Sequence, residues 1–257
     1  MKPNPLRLKL ERKDVVVGTM ITTFGEADCA RIIAGAQMDF TFIDSEHTPF
    51  GIETLARLCD AARRFDVAPL VRVPNTEYHL MARRLDAGAL GLMVPRVESA
   101  EQVGRIVESV YYPPRGQRGC APRPAMMDYE PASLADFIQW SNDNIVIVIQ
   151  IETQRGLDRL DQILSIEGTH VALVGPADMS ISLGVPGDMG SPKLWHAIDQ
   201  VVAACDRHGK VAGIHAGSPE MAVECAKRGM RFLTCSSDGG LLAVGARATA
   251  GAIRGAL

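Results

Sequence analysis

The sequence has no C-x-x-C pair, no uninterrupted apolar run of about 18 residues, no low-complexity tract and no surplus of positive charge. Each absence closes a class of function. With 27 Lys and Arg against 30 Asp and Glu, the formal charge is -3, so attraction to a phosphate backbone has little to act on and nucleic acid is not an expected partner. The six cysteines, Cys29, Cys59, Cys120, Cys205, Cys225 and Cys235, are scattered rather than spaced as a disulfide framework or a zinc site, and read as thiols in a reducing compartment. The polar segment from Met1 to Asp14 lacks the apolar stretch of a signal peptide, which makes the expected location cytoplasmic and the membrane an unexpected partner.

What is present is 257 residues, 47% hydrophobic and 22% charged, enough for one α/β barrel. Short runs rich in Val, Ile and Leu alternate with segments of helical periodicity, the pattern of βα units around a parallel sheet. Eight runs are present: Val15–Met20, Phe40–Ile43, Pro69–Val73, Gly91–Val94, Ile145–Ile151, Val171–Val174, Lys210–Ile214 and Arg231–Thr234. The fold class predicted is therefore a single (β/α)8 barrel over residues 1–257.

Helical faces and their ends support this reading. Leu55, Leu58 and Ala62 share a face, as do Leu194, Ile198 and Val201. Ser99 with Gln102 forms a capping-box pattern, Ser191 and Ser218 each precede a proline at a helix start, and Gly88 and Gly229 stand where helices stop. The connection from Tyr111 to about Asn144 is unusually long and rich in Pro, Gly and Arg, which predicts a cover over the active site; an ordered surface excursion without chemistry is the competing reading.

Barrel chemistry comes from the C-terminal ends of strands. The second run ends in Asp44-Ser45-Glu46-His47, two carboxylates and an imidazole within four residues. A carboxylate beside the ring can fix its tautomer and raise its basicity, which makes His47 the candidate base, against a helix-capping role. Arg72 closes the third run, where a guanidinium either meets an anion such as a developing enolate or forms a salt bridge to Glu46 or Glu152. Glu152 follows the fifth run and Asp178 the sixth. Acids on neighbouring strand ends repel unless a cation intervenes, and a divalent ion held by two protein oxygens keeps positions open for substrate; the competing, purely structural reading makes Asp178 a helix cap. His215, at the end of the seventh run, is expected to line the pocket rather than ligate metal.

Taken in order, Ile43-Asp44-Ser45-Glu46-His47, Val71-Arg72-Val73-Pro74, Leu85-Asp86-Ala87-Gly88-Ala89 with Gly91-Leu92-Met93-Val94-Pro95, Tyr112-Pro113-Pro114 with Arg118-Gly119, Gln150-Ile151-Glu152-Thr153 and Val174-Gly175-Pro176-Ala177-Asp178-Met179-Ser180 resemble the HpcH/HpaI class II 2-oxoacid aldolases of the phosphoenolpyruvate/pyruvate-barrel group, over nearly the whole chain. The resemblance implies that Glu152 and Asp178 bind Mg2+, Mn2+ or Co2+ and that this ion chelates pyruvate. It further implies that Arg72 neutralises the enolate oxygen and that His47, supported by Asp44, acts as base. Gln150 would steady the site, backbone N–H groups around Ala177 and Asp178 would hold the pyruvate carboxylate, and Glu46 would stand behind these groups. It also implies a trimer or hexamer in which a C-terminal helix, here within Leu241 to Leu257, is exchanged between barrels and Asp86 approaches a neighbouring subunit's site. Two departures concern the acceptor side: many relatives are apolar near the His215 position, and Cys120-Ala121-Pro122-Arg123-Pro124 differs from the small-residue run expected after Arg118-Gly119.

The expected activity is reversible cleavage of a 4-hydroxy-2-oxoacid to pyruvate, or a similar 2-oxoacid, and an aldehyde. Lys193, Lys210 and Lys227 fall at strand or helix starts and on helix faces, so no Schiff-base lysine is called for. The alternatives are a citrate lyase β-like acyl-CoA lyase, or a metal-enolate decarboxylase or cyclase. A catalytically silent barrel acting as a binding protein would be expected to have lost the strand-end acids, and all of them are present.

Overall fold

A computed structural model describes residues 1–257, the side chain of residue 125 apart. Eight parallel strands close into a barrel in sequence order: β1 Val16–Ile21, β2 Phe40–Asp44, β3 Ala68–Arg72, β4 Gly91–Val94, β5 Val146–Ile151, β6 Val171–Val174, β7 Val211–Ala216 and β8 Phe232–Ser237. Every strand lies within three residues of its sequence-derived position at either end. Near-continuous apolar runs are what strands buried on both faces require. No helix is long and apolar enough to cross a membrane.

The period of two sorts each strand between two cores. Phe40 and Phe42, Ala68 and Leu70, Val146 and Val148, Val171 and Leu173, and Phe232 fill the barrel interior, with Phe40 and Phe232 stacked at 4.1 Å between ring centroids. Ile43, Val71, Ile147, Ile149, Ile151 and Val174 point outward into the larger core shared with the helices. That core receives the two predicted helical faces, Leu55, Leu58 and Ala62 and then Leu194, Ile198 and Val201, all buried. The helix Pro5–Glu11 closes the base of the barrel with Leu6 and Leu10, and Asn4 Nδ2 donates there to the Leu90 and Asn144 carbonyls.

The predicted stops and caps are largely present. Gly88 and Gly229 adopt φ of 102° and 111° just beyond helices ending at Asp86 and Lys227, a conformation that a side chain would strain. Ser99 and Ser218 accept from the N–H groups of Gln102 and Met221. Ser191 sits at its helix start, but its hydroxyl forms no cap bond.

The long connection corrects one expectation. It contains a 3-10 turn, Pro124–Met127, and a helix, Leu134–Asn144. Its anchors include Asn142, which accepts from the Tyr112 N–H, and Asn144, which accepts from the Asn4 N–H at the barrel base. Among the described residues, none of 111–144 lines the cavity at the barrel mouth. The physical reason is topological: the segment joins the end of one helix to the start of β5, and such connections lie at the end opposite the strand C-termini.

Candidate active site

The same alternation that builds the interior core places polar groups on its uppermost layer. Two residues beyond Phe42 comes Asp44, beyond Leu70 comes Arg72, beyond Val148 comes Gln150 and then Glu152, and His215 follows Gly213. A cavity of about 550 Å3 opens above this layer, lined by Asp44, His47, Arg72, Gln150, Ala177, Asp178 and His215, among others. The size suits a small organic substrate. Six of the strand-end residues singled out from sequence, with Ala177, thus share one wall.

Arg72 is fixed by two charge-assisted bonds, Nε to Asp44 Oδ1 at 2.9 Å and Nη2 to Asp44 Oδ2 at 2.7 Å, with Glu46 Oε2 at 3.3 Å from Nε. Asp44 is buried; burial opposes ionisation, but the Arg72 guanidinium and the Glu46 and His47 backbone N–H groups outweigh it and hold its pKa below the usual range. This corrects the expected pairing. Asp44 orients Arg72, and the carboxylate beside the imidazole is Glu46, whose Oε2 is 3.5 Å from His47 Nε2. The reason is strand alternation: Asp44 points inward across to β3, whereas Glu46 and His47 lie on the turn leaving the barrel. His47 remains open to solvent, with 68% of its side-chain surface exposed.

Glu152 is nearly enclosed, at 3% exposure. Its Oε1 accepts from the Arg96 N–H at 2.8 Å and its Oε2 from Gln150 Nε2 at 2.5 Å. Arg96 presents that N–H by adopting φ of 52°, a left-handed conformation that a non-glycine residue pays about 1–2 kcal/mol to hold. Burial pushes the Glu152 pKa up to about 7, with Asp178 and Glu46 adding to the rise and the Arg96 N–H and Arg72 opposing it. Glu46 is likewise raised by burial, against Arg72, with Asp44 and Asp178 among the groups adding to the rise. Above this pair of acids, a Cβ at Gly175 would stand 2.5 Å from both Glu152 Oε2 and Gln150 Nε2, so only glycine leaves the cradle open.

Asp178 does not cap a helix. It is the third residue of Pro176–Ser182, whose N-cap is Gly175, and it lines the cavity. Three carboxylates, Glu46, Glu152 and Asp178, therefore influence one another around a single guanidinium already engaged by Asp44. Gln150 Oε1 is buried without a partner among the described residues. An excess of acids with an orphaned carbonyl oxygen beside them fits a hard divalent cation. Among the described residues no three His, Cys, Asp or Glu side chains cluster as ligands.

Asp86 lies outside the cavity and pairs with the buried Arg118 at 2.6 Å. Sequence reasoning missed Met20, Thr22, Met93, Met189 and Ser237, which also line the cavity. Met20, Met93 and Thr22 were legible as inward positions once a strand's phase was set. Asp238 was also missed: its buried carboxylate accepts from the N–H groups of Thr22, Thr23 and Phe24 and secures the loop after β1.

The sequence pattern of the HpcH/HpaI aldolase/citrate lyase family matches residues 22–244. A 2-keto-3-deoxy-L-rhamnonate aldolase of Escherichia coli is 32% identical over 244 residues, covering 91% of this chain and 87% of that protein. Among solved structures, an HpcH/HpaI aldolase from Desulfitobacterium hafniense DCB-2 superposes with a TM-score of 0.92 at 32% identity, covering 97% of this chain and 96% of that one. An HpcH/HpaI aldolase/citrate lyase family protein from Burkholderia cenocepacia J2315 gives 0.89 at 31% identity, over 98% and 99% of the two chains.

Proposed function

This chain belongs to the HpcH/HpaI aldolase/citrate lyase family, and from that membership we infer a divalent-metal-dependent aldolase, a carbon–carbon lyase that reversibly cleaves a 4-hydroxy-2-oxoacid to pyruvate or a similar 2-oxoacid and an aldehyde. The observation that carries the reading is the mutual repulsion of the buried Glu152 with Asp178, which lines the cavity, and with Glu46, the Glu152 pKa being raised to about 7 and Gly175 keeping the space beside its carboxylate free.

Glu152 and Asp178 would hold the cation, with Gln150 steadying the Glu152 carboxylate. Mg2+, Mn2+ or Co2+ bound there supplies Lewis-acid polarisation of the 2-oxoacid carbonyl. The residues of the chain do the rest. Asp44 holds Arg72 by Nε and Nη2, leaving the other face of the guanidinium to stabilise negative charge on the C2 oxygen as it develops. The first-turn N–H groups of Ala177 and Asp178, which have no preceding helical carbonyl to bond, receive the substrate carboxylate. In the cleavage direction His47 takes the proton of the C4 hydroxyl, the C3–C4 bond breaks, and its electron pair enters the enolate. Protonation at C3 then gives the 2-oxoacid. Glu46 stands beside the ring, its Oε2 3.5 Å from Nε2.

The quaternary reading is a homo-oligomer, trimer or hexamer, with an exchanged C-terminal helix. The helix Asp238–Ala256 buries little beyond Asp238 and exposes Leu241, Leu242, Val244 and Ile253. Outside β1 and β8, where a closing helix would pack, lies an apolar groove of about 820 Å3 lined by residues including Val17, Met38, Val223 and Leu233. A cytoplasmic location accords with six cysteines that are all free thiols.

The function is tested by stripping metal from the protein, supplying 4-hydroxy-2-oxoacids, and following pyruvate with a coupled reductase. Release of pyruvate that requires Mn2+, Mg2+ or Co2+ is expected, and Glu152→Ala and Asp178→Ala should abolish it. Equal rates in the presence of a strong chelator would contradict the assignment.

A further inference from the structure

His215 stands on the inward face of β7 and lines the mouth cavity. Its Nδ1 is enclosed and has no hydrogen-bond partner among the described residues. Because the ring lines the cavity while Nδ1 is enclosed, the cavity meets the other edge of the ring, which carries Nε2. An enclosed nitrogen with no acceptor near it is better left as the unprotonated one, so Nε2 carries the N–H.

The charged groups facing the ring are Arg72 and Asp44. Burial first, then the Arg72 guanidinium, push the His215 pKa down to about 4, against a smaller opposing effect of Asp44. At neutral pH the ring therefore offers a hydrogen bond and no charge. A substrate carboxylate gains little from it, while a hydroxyl, which can donate and accept, is its natural complement.

The position of the ring relative to the acids decides which part of the substrate it meets. With the oxygens of a 2-oxoacid turned to the Glu152 and Asp178 side of the barrel and to Arg72 on β3, the sector left for substituents on C3 is that of β7, β8 and β1. Its lining is Met20 and Thr22 at the end of β1, His215 and Gly217 at the end of β7, and Ser237 on β8. We propose that His215 is a specificity residue that selects a 2-oxoacid donor carrying a hydroxyl on C3, of the hydroxypyruvate class, over donors whose C3 bears only hydrogen or alkyl groups. This rests on the enolate reading given above and adds the donor class to it. An unsubstituted or alkyl donor leaves the imidazole without its partner, and sites built around a substrate hydroxyl discriminate strongly against analogues lacking it.

The test follows hydrogen–deuterium exchange at C3 in heavy water with the Mn2+-loaded protein and three donors: pyruvate, hydroxypyruvate and 2-oxobutanoate, the last two differing by OH against CH3. Donor dissociation constants from isothermal titration supply a second readout independent of turnover. The intrinsic acidity difference between donors cancels when each variant's ratio is compared with wild type. The hydroxypyruvate to 2-oxobutanoate ratio of kcat/KM should fall at least about tenfold in His215→Leu and be recovered in part by His215→Gln, whose amide restores a donor, with the binding ratio moving in parallel. A role in folding alone would move thermal stability and leave the ratio untouched. If pyruvate exchanges but the ratio is the same in wild type and His215→Leu, the donor assignment is wrong and the aldolase reading stands. If no donor exchanges, pyruvate included, both fall.

Discussion

In the metal-free protein Glu152 carries a pH signature that a single isosteric change should erase. Its carboxyl moves from an ordinary 4.5 to about 7, first through burial and then through Asp178 and Glu46. Between those values the folded protein holds a proton that the unfolded chain has released. Stability from this group is thus full below pH 4.5 and lost progressively as pH rises through about 7. Each unit of pKa corresponds to 1.36 kcal/mol, so the loss approaches about 3 kcal/mol. Glu152→Gln has no proton to lose, and its amide can be received by the orphaned Gln150 Oε1 after a flip of the Gln150 amide. The assay is urea unfolding of chelator-treated wild type and Glu152→Gln at intervals from pH 5 to 8. His215, with its pKa lowered to about 4, acts in the opposite sense, adding stability as pH rises towards 6.5. Asp44 and Asp238, also lowered, act only as pH falls below the ordinary carboxylate range. All three are common to both proteins and drop out of the difference. The difference curve should descend by about 3 kcal/mol from pH 5 to pH 8, and saturating Mn2+ should remove most of the descent. Parallel curves for the two proteins would show that Glu152 is not desolvated among acids, and the argument for a cation there would lose its physical basis.

Arg72→Lys keeps the charge but not the fork that Asp44 grips at 2.7 and 2.9 Å; kcat should fall about 10²-fold or more with a smaller change in KM, and an unchanged kcat would remove Arg72 from the oxyanion role. His47→Ala should leave Mn2+ affinity, read by electron paramagnetic resonance, as in wild type and slow cleavage about 10²–10⁴-fold; full activity in both directions would withdraw the base assignment. Phe232→Ala removes a ring stacked on Phe40 at 4.1 Å in the sealed base of the barrel and should cost about 3–5 kcal/mol in denaturant unfolding; a loss below 1 kcal/mol would mean that this interior layer is not close-packed.

Strand positions were legible because barrel strands are buried on both faces and so appear as uninterrupted apolar runs. The strand-end acids stood out for the same reason: Glu152 interrupts an apolar series and Asp178 follows a short one. What local spacing does not reveal is which side chain meets which across the barrel. Asp44 and His47 are three apart, yet alternation sends Asp44 to Arg72 on the next strand and leaves Glu46 beside the imidazole. Arg96 was invisible as a functional residue because its contribution is a backbone N–H presented by a left-handed conformation. The 111–144 segment looked like a lid from composition, but its place after a helix and before a strand commits it to the base of the barrel. Asp238 escaped notice since its partners are the backbone of residues 22–24, more than two hundred positions away in sequence.

The central claim is that Glu152 and Asp178 jointly grip one divalent cation at the barrel mouth, where Arg72 and His47 can act on the substrate. Anomalous diffraction from crystals grown with Mn2+ and pyruvate addresses it directly. The account predicts one strong peak at roughly 2.0–2.3 Å from a carboxylate oxygen of each of the two residues, with further coordination completed by pyruvate and water. A Mn2+ peak bound elsewhere, or to only one of the two acids with the other turned away, would contradict it.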